Sequence, residues 1–147
     1  MSLPGDQTPK RVGLLGFDGV AALDLTGPLE ALKLARFPGD QGADSRCYET
    51  LVVGLKSKCF TSDSGLVFRA NAMTDLAPPF DTILVPGGKG LRQPETTRLA
   101  ADWLCARVGS TRRIASVSTG IYALAESASA SAKIDHHATL PYFSDSL

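Results

Sequence analysis

Charge of one sign, long apolar runs and clustered metal ligands are all missing from this sequence. Lysine plus arginine equals aspartate plus glutamate at 15 each, so no net positive field draws the chain to nucleic acid or to an anionic membrane. No apolar stretch approaches the roughly 18 residues that cross a bilayer, and the start, MSLPGDQTPKR, lacks the apolar core of a signal peptide. Histidine occurs only as the adjacent pair His136 and His137. Neighbours in extended chain face opposite ways, so the pair does not share a metal ion. The three cysteines, Cys47, Cys59 and Cys105, form no C-x-x-C pair and read as free thiols of a reducing compartment. The expectation is a cytoplasmic protein without metal, cofactor or membrane partner.

What is present is a core-forming composition: 147 residues, 44% apolar and 20% charged, enough for one globular domain and too apolar for disorder. Residues 1–10 read as a leader, disordered or left over from cloning, and 11–147 as the domain. RVGLLGF (11–17) is an apolar run closed by Asp18-Gly19, the pattern of a buried strand and its turn. ALDLTGPLEALKLARF follows, with Gly27 as the expected cap and Pro28 as the first helical residue. CYETLVVGL (47–55) reads as the second strand, and the segment around Ser62-Asp63-Ser64-Gly65 as two short extended pieces. DTILVPGGKG is an apolar strand opening into glycines, and a helix begins at Pro94 with Leu99, Trp103 and Leu104 as its apolar stripe. RRIASVS and TGIYALAES supply the next strand and helix. Alternating strand and helix predict an α/β fold, a mostly parallel sheet with helices on both faces. The last pattern is not completed by another strand, so the domain reads as C-terminally truncated, its final strand and helix missing.

Ligands of such sheets gather beyond the carboxyl ends of the strands. Three ends carry unusual residues: Asp24, Gly87-Gly88 and Ser118. In SVSTG, Gly120 lets the backbone pass close after Ser118, which is half of a G-x-S-x-G nucleophile elbow; Ser116 stands where the motif has its first glycine. Locally Ser118 is either a nucleophile or, with Thr119, a cap of the helix behind it. The Gly87-Gly88 pair either holds an oxyanion on two free N–H groups or makes a plain turn. PGGKG matches neither a dinucleotide fingerprint nor a Walker A loop. Asp24, beside Leu23 and Leu25, is either a partly desolvated functional carboxyl or a turn aspartate. Phe80, Trp103 and Tyr122 read as core.

Together, FDGVAALDLTGPLEAL, DTILVPGG and IASVSTGIYALAES resemble the ThiJ/PfpI superfamily of class I glutamine amidotransferase-like domains. The closer resemblance is to the subgroup found at the N-terminus of AraC-type transcriptional regulators and in isonitrile hydratases. It covers Arg11 to about Glu126 and fades in DHHATLPYF. It implies a flavodoxin-like three-layer sandwich, usually dimeric, with a cysteine on the elbow, an acidic partner from the first loop, and backbone amides around an anion-sized pocket. Asp24 matches the acidic partner, Gly87 and Gly88 the facing glycine pair, and Thr119 and Gly120 the residues after the nucleophile.

Ser118 stands where the family has its cysteine. A thiol near pKa of about 8.5 is brought to thiolate by a helix N-terminus, whereas a serine needs a positioned base. The only histidines lie in the weakest part of the match. Two functions follow. The first is the ligand-sensing, dimerising domain of an AraC-family regulator, its pocket of Asp24, Gly87, Gly88, Ser118, Thr119 and Gly120 binding a small polar metabolite. DNA would then be bound only through a C-terminal helix-turn-helix domain not present in this chain. The second is a stand-alone hydrolase or isonitrile-hydratase-like enzyme using Ser118, Asp24 and His137. The substitution at 118 favours the sensor.

Overall fold

The computed structural model describes residues 8–39 and 45–131. His136 and His137, and the expected C-terminal truncation, lie outside the described residues.

Among the described residues seven strands and three α-helices follow one another. The strands are β1 (Lys10–Gly16), β2 (Tyr48–Gly54), β3 (Cys59–Thr61), β4 (Val67–Arg69), β5 (Ala72–Met73), β6 (Thr82–Val85) and β7 (Arg113–Ser116). The helices are α1 (Ala22–Leu34), α2 (Pro94–Arg107) and α3 (Ile121–Ser131). Five strands form a parallel sheet in the order β5-β2-β1-β6-β7. The strand β1 lies at its centre, with Val12, Leu14 and Leu15 almost wholly buried, because a central parallel strand is covered on both faces. From β1 through α1 the chain moves to β2 on one side, and from β6 through α2 it moves to β7 on the other. Right-handed crossovers therefore place α1 and α2 on opposite faces, and α3 packs beside α2. The result is the flavodoxin-like sandwich.

The strands and α2 form where their apolar patterns predict them, with Pro94 in the first turn of α2. The segment around Ser62 to Gly65 is the turn of an antiparallel hairpin, β3 with β4, in which Phe60 faces Phe68 with ring centroids 5.7 Å apart. The two-residue strand β5 on the sheet edge carries no pattern of its own and is not foreshadowed by the sequence. Arg107 ties the following loop down: it donates to the carbonyls of Ala77 and Pro78 at 2.8 Å each and lies over the rings of Trp103 and Phe80.

The start of α1 corrects the sequence reading. The helix begins at Ala22, so Gly27 is not a cap and Pro28 lies inside it. Proline has no N–H to return to the carbonyl four residues back, here that of Asp24, and an interior proline usually breaks a helix. Two features carry the helix through. Gly27 has no Cβ to meet the proline ring, which relieves the usual restriction on the preceding residue. The entry is fixed from outside, since the Ala21 N–H donates to the Gly87 carbonyl at 2.8 Å. The earlier start puts Asp24 in the first helical turn, where the positive end of the helix dipole favours a carboxylate.

Candidate functional site

Between β1 and β6 the connections depart in opposite directions, so the loops after these strands separate and leave a crevice at their carboxyl ends. Its walls come from the loop after β1 and the first turn of α1, the turn after β6 and the turn after β7, joined by Asp63. The turn after β7 is seated first: the Val117 N–H donates to the Val85 carbonyl at 2.9 Å. Gly120 then passes so close that any side chain there would overlap the Val85 carbonyl. Constrained at both ends, Ser118 takes φ 53°, and among the described residues it is the only non-glycine at positive φ. That conformation costs an L-residue roughly 1–2 kcal/mol, and it lifts an exposed hydroxyl to the crevice rim. The half-motif is thus a true elbow. Neither the Ser118 nor the Thr119 side chain caps the helix behind it: Thr119 Oγ1 accepts from the Gly88 N–H, and the Ser118 hydroxyl has no partner among the described residues.

Asp24, Gly87, Gly88, Ser118, Thr119 and Gly120 are brought together, but the glycine pair offers no free donors. The Gly87 N–H donates to Asp24 Oδ2 at 3.2 Å, and the Gly88 N–H donates to Thr119 Oγ1 at 3.0 Å. The sequence reading of two amides open to an oxyanion is corrected on this point: both are taken by the protein's own oxygens. Glycine is needed at 88 because φ is 141° and a Cβ would press into the backbone of Gly19 and Ala21. Asp24 is half-buried and makes no hydrogen bond to Ser118, whose hydroxyl has no partner among the described residues. Among the described residues no side chain is hydrogen-bonded to the Ser118 hydroxyl, and His137 lies outside them.

The crevice encloses about 250 Å³ between Ala21, Asp24, Asp63, Gly88, Lys89, Arg92, Ser118, Thr119 and Tyr122. That is below the usual range of drug-sized pockets and suits a small ligand. Tyr122 corrects its assignment to the core: it is 54% exposed and stands at the rim. Phe80 is buried and Trp103 packs against the core.

Sequence reasoning missed Asp63, Lys89 and Arg92. No local signal marks Asp63. It arrives because the β3–β4 hairpin is fastened to the first loop, with Gly19 N–H to the Thr61 carbonyl at 2.8 Å, Thr61 N–H to Asp18 Oδ1 at 2.8 Å, and Asp63 N–H to the Val20 carbonyl at 2.9 Å. Lys89 and Arg92 did carry a signal, namely their position directly behind the glycine pair at a strand end. Neither Cys59 nor Cys105 lines the crevice. Among the described residues no three His, Cys, Asp or Glu side chains gather as metal ligands, and no helix is long and apolar enough to cross a membrane.

Known proteins carry the same architecture. A ThiJ/PfpI family protein from Pseudomonas syringae superposes with a TM-score of 0.62 at 20% identity, covering 86% of this chain and 52% of that one. The thiJ/pfpI family protein from Bacillus anthracis superposes with a TM-score of 0.59 at 15% identity, over 75% of this chain and 51% of that one. In sequence, the chain is 30% identical over 122 residues to the HTH-type transcriptional regulator GbdR of Pseudomonas aeruginosa, covering 83% of this chain and 32% of the regulator. The chain thus spans about a third of the length of that relative. It is also 36% identical over 120 residues to an uncharacterized protein in the cpoL 5' region of Streptomyces lividans, covering 79% of this chain and 78% of that protein. The DJ-1/PfpI family model matches residues 10–147. With that match, this fold and this elbow, the chain belongs to the DJ-1/PfpI family.

Proposed function

We propose that the chain is the ligand-sensing and dimerisation domain of an AraC-family transcriptional regulator, its elbow crevice binding a small polar metabolite. The observation that carries this reading is the similarity to an HTH-type regulator, in which 83% of this chain aligns with only 32% of the relative. The site agrees with it. A serine with no hydrogen-bonded base stands where the family has its thiol, and polar and charged side chains line a crevice of about 250 Å³ beside it. The balanced charge of the chain supports a division of labour in which a separate helix-turn-helix domain makes the DNA contacts. A ligand regulates only if it binds two arrangements of the domain or dimer with different affinity. The test is the reading frame past Leu147: a following stretch of roughly a hundred residues with basic helix-turn-helix segments supports the sensor. A stop codon at that point overturns it.

One observation favours a second reading, a stand-alone hydrolase or isonitrile-hydratase-like enzyme using Ser118, Asp24 and His137. The Streptomyces lividans relative is matched over 78% of its own length, which leaves it little room for a DNA-binding domain. This reading requires turnover that Ser118→Ala abolishes. Its failure would be a wild-type protein inert towards nitrile, isonitrile, amide and ester substrates alongside an active Ser118→Cys variant.

A further inference from the structure

The sensor reading leaves open which chemistry the crevice selects, and the polar groups of its wall narrow the choice. An anionic ligand would ordinarily be held by backbone amides at a strand end. Here those of Gly87 and Gly88 already donate to Asp24 Oδ2 and Thr119 Oγ1. A ligand anion must therefore find its counter-charge among side chains. Among the described residues two cations line the crevice, Lys89 and Arg92. Both lie on the 3-10 turn Lys89–Arg92. Residues three apart in a 3-10 turn eclipse one another, so the two side chains leave the backbone on the same side. Both are exposed, and neither has a hydrogen-bond or ion-pair partner among the described residues. Lys56, past the carboxyl end of β2, is by contrast paired with Glu95.

We propose that Lys89 and Arg92 make the crevice a site for a small monocarboxylate carrying a hydrogen-bond donor at its far end. The Arg92 fork suits a carboxylate in two-point contact, and Lys89 adds a point charge beside it. The negative wall sets the ligand's charge and polarity. Asp24 and Asp63 face the same crevice, so the two cations are already matched by two carboxylates; a monocarboxylate adds one net negative charge and a dianion such as a phosphate monoester adds two, which disfavours the dianion. Asp63 offers acceptors to a hydroxyl or amino group at the other end of the ligand. The volume of about 250 Å³ limits that ligand to a few carbons. Lys89 and Arg92 are thus specificity-determining residues, with no part in any bond-making step.

The experiment is calorimetric titration and thermal shift of the full chain with glycolate, lactate and 3-hydroxypropionate, against glycolamide, lactamide, 3-hydroxypropionamide and inorganic phosphate. The acids are expected to bind, more weakly as salt rises, and to raise the melting temperature, while the amides and phosphate do not. The double substitution Lys89→Met with Arg92→Gln, on exposed positions that leave the core untouched, is expected to weaken acid binding about tenfold or more, as loss of hydrogen bonds to a charged partner does. Acids that bind the double variant as tightly as the wild type, or phosphate that binds more tightly than every acid, would overturn the proposal, as would an acid panel that does not bind at all. Amides that bind as well as acids, with an affinity that Ser118→Asn weakens, would overturn the carboxylate class while leaving the sensor reading standing. If nothing in a wider metabolite library shifted the melting temperature, the sensor reading would fall with it.

Discussion

Asp24 Oδ2 accepts the backbone N–H of Gly87 at 3.2 Å, across 63 residues of sequence. The bond joins the first turn of α1 to the turn after β6, and it is reinforced by the Ala21 N–H on the Gly87 carbonyl. Asp24→Ala leaves a buried amide donor without its acceptor and removes a carboxylate from the dipole's positive end. It is expected to destabilise the fold by about 1–3 kcal/mol in urea unfolding. Asp24→Asn keeps an acceptor oxygen and should lose less. Equal losses for both would show that the charge, and not the hydrogen bond, matters.

Ser118 holds a left-handed backbone that its own side chain does not require. The strain belongs to the elbow, so it should be readable by substitution. Ser118→Val, whose branched Cβ tolerates positive φ poorly, is expected to destabilise by about 1–2 kcal/mol. Ser118→Gly is expected to be neutral or mildly stabilising, since glycine relieves the strain but frees the unfolded chain. A Val variant as stable as the Gly variant, by chemical denaturation, would mean that the elbow relaxes without cost.

How far the sequence reveals this architecture depends on range. Strands β1, β2, β6 and β7 are legible because each is an apolar run stopped by glycine, proline or a polar pair, and α2 because Pro94 and the Leu99, Trp103, Leu104 stripe mark its start and face. The elbow motifs are legible because glycine at 88 and 120 is demanded by backbone contact, which leaves a fixed residue type in the sequence. What is not legible is set by partners far along the chain. The start of α1 depends on a carbonyl at Gly87, against the local signal of Gly27-Pro28. The occupation of both glycine amides depends on side chains 63 and 31 residues away. Tyr122 reads as core from its residue type alone, which carries no information on the side it faces, and it is exposed at the crevice rim.

Two substitutions in the backbone of the site should act in opposite directions. Gly120→Ala drives a methyl into the Val85 backbone carbonyl, where no flexible side chain can yield. It is expected to destabilise by about 3 kcal/mol or more, at the upper end of overpacking effects, and to reduce soluble yield. Pro28→Ala restores an N–H for the Asp24 carbonyl and removes a helix-breaking ring. It is expected to stabilise by about 1–3 kcal/mol, seen as a higher urea midpoint with an unchanged slope. A destabilised Pro28→Ala would mean that the bend made by proline is needed to bring Asp24 onto Gly87.

Away from the crevice, Asp81 and Arg112 join the base of β6 to that of β7 by two parallel bonds, Nε to Oδ1 at 2.8 Å and Nη2 to Oδ2 at 2.7 Å. The Arg112 hydrogen bonds, against a smaller opposing effect of burial and with help from Thr82, hold the Asp81 carboxyl below its ordinary range. A carboxylate whose folded pKa is depressed binds fewer protons folded than unfolded near that range. Its stabilisation is therefore complete above the unfolded value of about 3.9 and is lost as pH falls through the lower folded value. Arg112 stays charged throughout, so the window belongs to Asp81 alone. Asp81→Asn is expected to be less stable than the wild type at pH 7, with the gap closing once the pH drops below the folded value. Both partners reach solvent on at least one side, so the gap should be small and should shrink in high salt. A gap that persists unchanged to about pH 2 would assign the effect to the shape of the side chain and not to its charge.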